Sequence, residues 1–325
     1  MKKYLQNNIS YYDINKLPIA LFNLKKWVFV TISGIDAAKY LNNKFTMNIN
    51  LLNFKKYFHC ANCDIYGKVL SNFLIFKYNN NYGYVIRKSI LKIQKKEFKK
   101  YLNFYKIYTQ RKKEFLLFGV SGTNLRLFLL KFFKLLPDYH NTIVNYGDII
   151  ILQFQYPEER FLFIVKFSQV LFFKNIFRNF SVFYDDQWSI LHLKSGIPIL
   201  DRINSKIFLP QSVNLRIPDN IDIYKGCYIG QEIISKVFFK KINRKYLYVL
   251  ELLTKNFTYN FENCVIRFTD MYKNYIIGRI LFTVKLNNKI FWLQIVLNKN
   301  LPLNTILLFE NICPVYFKVK YKFYV

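Results

Sequence analysis

The chain has 325 residues, enough for two or three domains with ample cores, and its 49 Lys and Arg against 19 Asp and Glu give a formal net charge of +30. Its five cysteines are an odd number in a chain too long to need stapling, which fits a reducing compartment. No uncharged apolar run approaches the ~18 residues that span a bilayer, so a disulfide scaffold and a helical membrane protein are both excluded.

Such a charge ordinarily points to a polyanionic partner, either nucleic acid or an anionic membrane surface. Here Lys, Asn, Ile, Phe and Tyr are enriched together, with 34 Phe and 26 Tyr. These residues share AT-rich codons, so compositional drift accounts for the charge without selection for binding. Lys also far outnumbers Arg, whose planar fork suits phosphates and bases. Met1 to Lys16 has lysines but neither an apolar signal core nor arginine, and a cytoplasmic location is expected.

Residues 1–20 read as an arm. Leu21-Phe22 and Trp27 to Ile32 read as strand, and Asp36 is placed to cap a helix from Ala37 to about Asn43. Phe58 to Asp64 and Val69 to Tyr78 form a hairpin through Tyr66-Gly67-Lys68, and Asn79-Asn80-Asn81 turns the chain into a strand over Tyr82 to Arg87. Cys60-Ala61-Asn62-Cys63 is formally a CxxC, but no second pair stands at zinc-ligand spacing. Both thiols are expected to pack within the sheet, and no metal site is expected. Ile90 to Leu102 is a basic amphipathic helix. Tyr105 to Thr109 and Glu114 to Val120 read as strands, Thr123 to Leu135 as a helix stopped by Pro137, and Asp148 to Gln155 and Arg160 to Lys166 as two more strands. This alternation fits α+β subdomains with antiparallel sheets covered on one face. Asp186 to His192, which carries Trp188, reads as helix. His59, His140 and His192 stand singly, so no nucleophile–His pair is expected.

The chain is organised around Lys225-Gly226-Cys227-Tyr228-Ile229-Gly230-Gln231-Glu232, after which Gln231 to Val237 reads as the first turns of a helix. A glycine turn entering a helix directs backbone N–H groups at one spot and favours negative charge there. A cysteine beside Lys225 in such a place is expected to be more acidic than a free thiol. The competing reading is a tight loop whose glycines take positive φ and whose cysteine merely packs. The basic link from Phe238 to Lys245 marks the expected boundary between residues 1–240 and 241–325. Beyond it, six short strands separated by turns, with Asn287-Asn288 the clearest of them, fit a small β-barrel. Trp292, within one of these strands, reads as core.

The stretch from Lys225 to Glu232 resembles the KGCYxGQE signature of the YgfZ family, folate-binding relatives of the T-protein of the glycine cleavage system. Lys236 supplies the basic residue that follows it in the family. Cys63-Asp64-x-x-Gly67-Lys68, the Gly196-Ile197-Pro198 turn and Pro210-Gln211-x-x-Asn214-Leu215 extend the resemblance, which is weak over the last eighty or so residues. It implies ferredoxin-like pieces in the N-terminal region and a C-terminal barrel. By the same resemblance Trp27 and Trp188 align with folate-contacting tryptophans, and flat pterin and aminobenzoyl rings do gain from stacking on indole. The family's Gln-Gly-Gln-x-Thr-x-Asp segment is here Asn42-Asn43-Lys44-Phe45-Thr46-Met47-Asn48, with an amide where the family has its acid.

The function implied by resemblance is that of an accessory protein binding tetrahydrofolate or a derivative. It would support tRNA modification by maintaining iron–sulfur enzymes such as methylthiotransferases, with no turnover reaction assigned. Cys227 would be its reactive thiol, accepting sulfur, a one-carbon unit or a metal. Lys225 would favour the thiolate, while Gln231 and Glu232 orient the loop or a proton. The alternatives are an aminomethyltransferase-like enzyme and a direct tRNA binder. A monomer without membrane association is expected.

Overall fold

The computed structural model describes residues 19–253, 265–269, 275–287, 289–309 and 316–323. The expected arm lies outside these residues except for its last two, as do Cys264, Cys313 and Asn288. In chain order the elements are β1 (Ala20–Asn23), β2 (Trp27–Ser33), α1 (Ala37–Lys44), β3 (Tyr57–Cys63), β4 (Val69–Tyr78), β5 (Asn81–Arg87), α2 (Leu91–Lys99), β6 (Tyr108–Arg111), β7 (Phe115–Ser121), α3 (Leu125–Leu129), β8 (Ile143–Asn145), β9 (Ile149–Phe154), β10 (Arg160–Lys166), α4 (Val170–Ile176), β11 (Ser181–Tyr184), α5 (Asp185–Ser195) and α6 (Gln231–Phe239). The strands β12 (Tyr246–Leu253), β13 (Val265–Thr269), β14 (Tyr275–Lys285), β15 (Ile290–Leu297), β16 (Ile306–Phe309) and β17 (Tyr316–Phe323) follow.

The architecture is α+β, in three sheets. A five-stranded antiparallel sheet has the order β3-β4-β5-β2-β6, and a six-stranded sheet the order β11-β1-β7-β10-β9-β8, in which only β1 and β11 run parallel. The last six strands close into a barrel. Period-two alternation sorts the five-stranded sheet into two faces. Val28, Val30, Phe73, Ile75, Tyr84 and Ile86 join a core beneath α1 and α2. Phe29, Leu74, Phe76 and Val85 face the opposite way. There they meet Phe22, Leu152, Leu162 and Ile164 of the six-stranded sheet, Trp188 and Leu191 of α5, and Val249 and Trp292 of the barrel. The three sheets thus share one central core, and each fully buried Phe or Leu in it contributes about 1.5–3 kcal/mol. The outer face of the six-stranded sheet is covered by α3 and α4 through Phe118, Leu129, Phe163 and Phe173.

Several expectations shift in detail. Asp36 stands at the start of α1, yet its carboxylate accepts the Lys106 N–H at 2.7 Å and ties down the β6 side of the sheet instead of capping the helix. The helix expected over Thr123 to Leu135 ends at Leu129, because the chain tightens into shorter turns there, Lys131 N–H bonding Phe128 O and Phe132 N–H bonding Leu129 O. The short elements α4 and β11 carry no periodic signal long enough to read. No helix among the described residues is long and apolar enough to cross a membrane.

Candidate functional site

Trp27 opens β2 and Trp188 lies one turn into α5, and the structure brings both to one cavity. Asp185, the first residue of α5, makes the connection. Its buried carboxylate accepts the backbone N–H groups of Lys26 at 2.8 Å and Lys25 at 3.0 Å, fastening the turn before Trp27 to the helix that bears Trp188. Gly119 of β7 provides the floor. A Cβ there would stand 2.4 Å from the Trp188 ring, so only glycine lets the indole lie against the strand. Phe22 and Phe154 pack on the same indole at 5.5 and 6.0 Å.

Between the two indoles stands His192. Its ring centroid is 5.6 Å from each, edge-on to Trp188 and tilted to Trp27. His59 of β3 and Asn72 of β4 complete the polar lining, and the Asn72 amide lies 3.3 Å from His59 Nε2 while donating to Pro198 O at 2.9 Å. The enclosed core measures about 20 Å³, room for about one water, and about 360 Å³ of free space opens from it toward solvent. Burial holds both imidazoles neutral: it lowers His59 to about 4, and it lowers His192 well below its usual range, with Arg160, His59 and Arg87 adding in the same direction. Arg87 lies over Trp27 at 5.6 Å and is clamped by Asp201 through two bonds of 3.0 Å. Two buried polar atoms at the cavity, Trp27 Nε1 and His192 Nδ1, have no hydrogen-bond partner. Each such atom costs about 1–3 kcal/mol until a partner arrives.

The signature loop lies on the other face of the five-stranded sheet. Gly230 takes φ +84°, and a Cβ on it would stand 2.6 Å from Asp64 O and 2.8 Å from the Gly67 Cα. Gly67 is itself left-handed at φ +70°. The two motifs, Cys63 to Lys68 and Lys225 to Glu232, therefore meet glycine to glycine. Gln231 fixes the loop from within: its Oε1 accepts the Tyr228 N–H at 3.0 Å and its Nε2 donates to Ile223 O at 3.2 Å. Glu232 is exposed in the first turn of α6, where a carboxylate is favoured by the helix dipole. Cys227 is an exposed free thiol, in the loop ahead of the helix start at Gln231.

The lysine expected beside the thiolate is committed elsewhere. Lys225 is buried, and its ammonium donates to Phe45 O and Met47 O, each at 2.7 Å, so it staples the loop to the segment after α1. Burial lowers it to about 8. In that segment Thr46 Oγ donates to Asn220 O at 2.7 Å and accepts the Ala61 N–H at 3.0 Å. Asn48, standing where the family has an acid, accepts Asn50 N–H at 3.1 Å and caps a short turn. Cys60 and Cys63 are buried free thiols in the core beneath α1 and α2, raised by burial; a bulge between Asn62 and Cys63 shifts the register of β3. Trp292 is buried core, its indole N–H donating to Glu251 at 3.0 Å.

The structure thus unites Trp27 with Trp188, and separately unites Lys225, Gln231 and Cys227, but Cys227 does not line the tryptophan cavity. The sheet lies between them, and β3 touches both: His59 lines the cavity, while Cys60 joins the core reached by Lys225. Sequence reasoning gave no cavity role to His59, His192 or Asp185, nor to Asn72, which it met only as part of the family resemblance around Cys63 to Asn72. The acidic pair Asp185-Asp186 at a helix start was a readable signal; the histidines, far apart in the chain, gave none.

No family model matches the chain. Among curated proteins, the tRNA-modifying protein YgfZ of Buchnera aphidicola subsp. Schizaphis graminum (strain Sg) is 37% identical over 307 residues, covering 94% of this chain and 95% of its own. That of Serratia proteamaculans (strain 568) is 32% identical over 286 residues, covering 88% and 86%. Among solved structures, the glycine cleavage system aminomethyltransferase T from Bartonella henselae matches 96% of this chain and 87% of its own with a TM-score of 0.73. At 13% identity that likeness is one of fold.

Proposed function

The chain belongs to the YgfZ family, and from that premise we propose that it is a folate-binding accessory protein acting in tRNA modification. The observation that carries this reading is the convergence of Trp27, Trp188 and His192 on one cavity that holds two unpartnered buried polar atoms. The chemistry of these residues suits the ligand. Because the enclosed core holds about one water and Trp188 is buried against Gly119, a ring would enter from the open side beside Trp27 and displace His192 to reach Trp188. A pterin is flat and bears hydrogen-bonding groups on its edge, so the indole faces suit its plane, while Trp27 Nε1 and His192 Nδ1 suit its edge. Lysines, abundant throughout the chain, would meet a glutamate tail at the rim. The family resemblance further implies that the role is to maintain iron–sulfur enzymes of the methylthiotransferase kind. Cys227, exposed on the opposite face of the sheet, is then free to meet a partner while the ligand is held. The aminomethyltransferase reading has no carboxylate at position 48, where the Asn48 amide is spent on a turn.

Calorimetric titration with tetrahydrofolate derivatives, alongside tryptophan fluorescence, tests the proposal. Wild type should bind saturably with quenching. Trp27→Phe and Trp188→Phe should lose most of the quenching. His192→Phe keeps the packing but loses the hydrogen bond, and should bind at least about tenfold more weakly. Cys227→Ala should bind like wild type. An absence of saturable binding to wild type would remove the folate site.

A further inference from the structure

A second cavity lies on the outer face of the six-stranded sheet, back to back with the first. On β1 the alternation is direct: Phe22 packs against Trp188, while Leu21 and Asn23 face the other way. On β7, Gly119 supports Trp188 while Phe118 faces out. The helices covering this face leave Val182 of β11 half exposed. They leave a cavity of about 270 Å³ lined by Leu21, Asn23, Phe118, Phe177, Val182 and two cations, Lys174 and Arg178.

Its chemistry is divided. The walls are aliphatic and aromatic, and the rim is cationic with no carboxylate among the lining residues. Lys174 lies in the last turn of α4 and Arg178 two residues beyond its end. Among the described residues neither has an acidic partner within salt-bridge distance. In a chain of this charge two uncovered cations mean little alone. Beside an apolar void they define an amphiphilic site. We propose that this cavity binds a small organic anion, an apolar body carrying one carboxylate. The body, on the order of ten non-hydrogen atoms for a cavity of this size, fills the space over Phe118 and Val182. The carboxylate takes the Arg178 fork and the Lys174 ammonium.

Octanoate is the probe, with octanol and octylamine as neutral and cationic controls, followed by saturation-transfer NMR on the full chain. Octanoate should bind saturably, octanol at least about tenfold more weakly, and octylamine not at all. The double variant Lys174→Gln/Arg178→Gln should weaken octanoate by a similar factor. Val182→Trp, which fills the cavity from its exposed edge, should abolish binding, whereas His192→Phe, on the other face, should leave it unchanged. The proposal is overturned if octanol binds as well as octanoate, if Val182→Trp binds like wild type, or if no saturable binding occurs. It is equally overturned if an extended peptide with a free carboxyl terminus binds along β11 while octanoate does not. Independence from the His192 cavity keeps these outcomes separate from the fate of the folate reading.

Discussion

Gly230→Ala should lower the stability of the protein by about 3 kcal/mol, whereas Gly226→Ala, in the same loop, should change it by less than about 0.5 kcal/mol. The residues differ in surroundings, not in chemistry. At Gly230 the new methyl would meet Asp64 O at 2.6 Å and the Gly67 Cα at 2.8 Å, both backbone, and φ is +84°. Neither backbone can yield easily, since Gly67 N–H bonds Asp64 O and the Asp64 side chain accepts the N–H groups of Tyr66 and Lys68. The left-handed conformation costs about 1 kcal/mol for a non-glycine residue, and the overlap adds about 1–3 kcal/mol. At Gly226 a Cβ has nothing within 4 Å. Urea unfolding of both variants measures the contrast. Equal losses would mean that the loop does not rest on the Cys63–Lys68 turn as described. Retention of folate binding by Gly230→Ala below its unfolding midpoint would separate the loop from the tryptophan cavity.

This contact also shows what the sequence could and could not convey. Both motifs were legible as motifs, because glycines in a glycine-poor chain mark turns, and the barrel strands were legible from their spacing. The T-protein-like fold followed from resemblance, and the structural match bears it out. What sequence adjacency misjudged was direction. Lys225 sits two residues from Cys227, yet the chain bends over residues 223–226, where the Asp222 carboxylate accepts the Tyr224 and Lys225 N–H groups, and the Lys225 ammonium is drawn inward to the Phe45 and Met47 carbonyls. The meeting of two histidines went unread for the complementary reason. His59 and His192 are isolated in sequence, on a strand and a helix, and only the packing of α5 against the sheets places them in one cavity. Local periodicity carries the facing of each element but not which faces meet.

Two buried lysines, Lys44 and Lys225, give the second large effect, and they should respond to pH alike but to truncation differently. Burial lowers each to about 8. Between about 8 and the unfolded value near 10.5 the unfolded chain binds more protons than the folded one, so each lysine makes stability rise with pH across that window, by up to about 1.4 kcal/mol per pH unit. Below pH 8 the cost of burying the ammonium is fully present. The buried thiols Cys60 and Cys63 and the buried tyrosines Tyr40, Tyr57, Tyr84 and Tyr228 are raised and act in the opposite sense from about pH 9 upward. The lysine effect is therefore read as the difference between wild type and each Lys→Met variant, in which those groups cancel. Lys44 has no hydrogen-bond acceptor: its Nζ lies 3.8 Å from Glu97 and 3.1 Å over the Tyr101 ring, and Lys100 holds Glu97 at 2.7 Å without it. Lys44→Met should raise stability at pH 7 by about 1–3 kcal/mol, an advantage that shrinks as pH climbs toward 10.5. Lys225→Met removes the donor to two carbonyls and should lie about 3 kcal/mol below Lys44→Met at every pH, with the same pH slope in its difference from wild type. Urea midpoints at pH 7, 8.5 and 10 resolve both claims. Differences flat across that range would mean that burial does not hold these ammoniums below their usual values, and equal stabilities of the two variants would mean that the bonds from Lys225 do not anchor the signature loop.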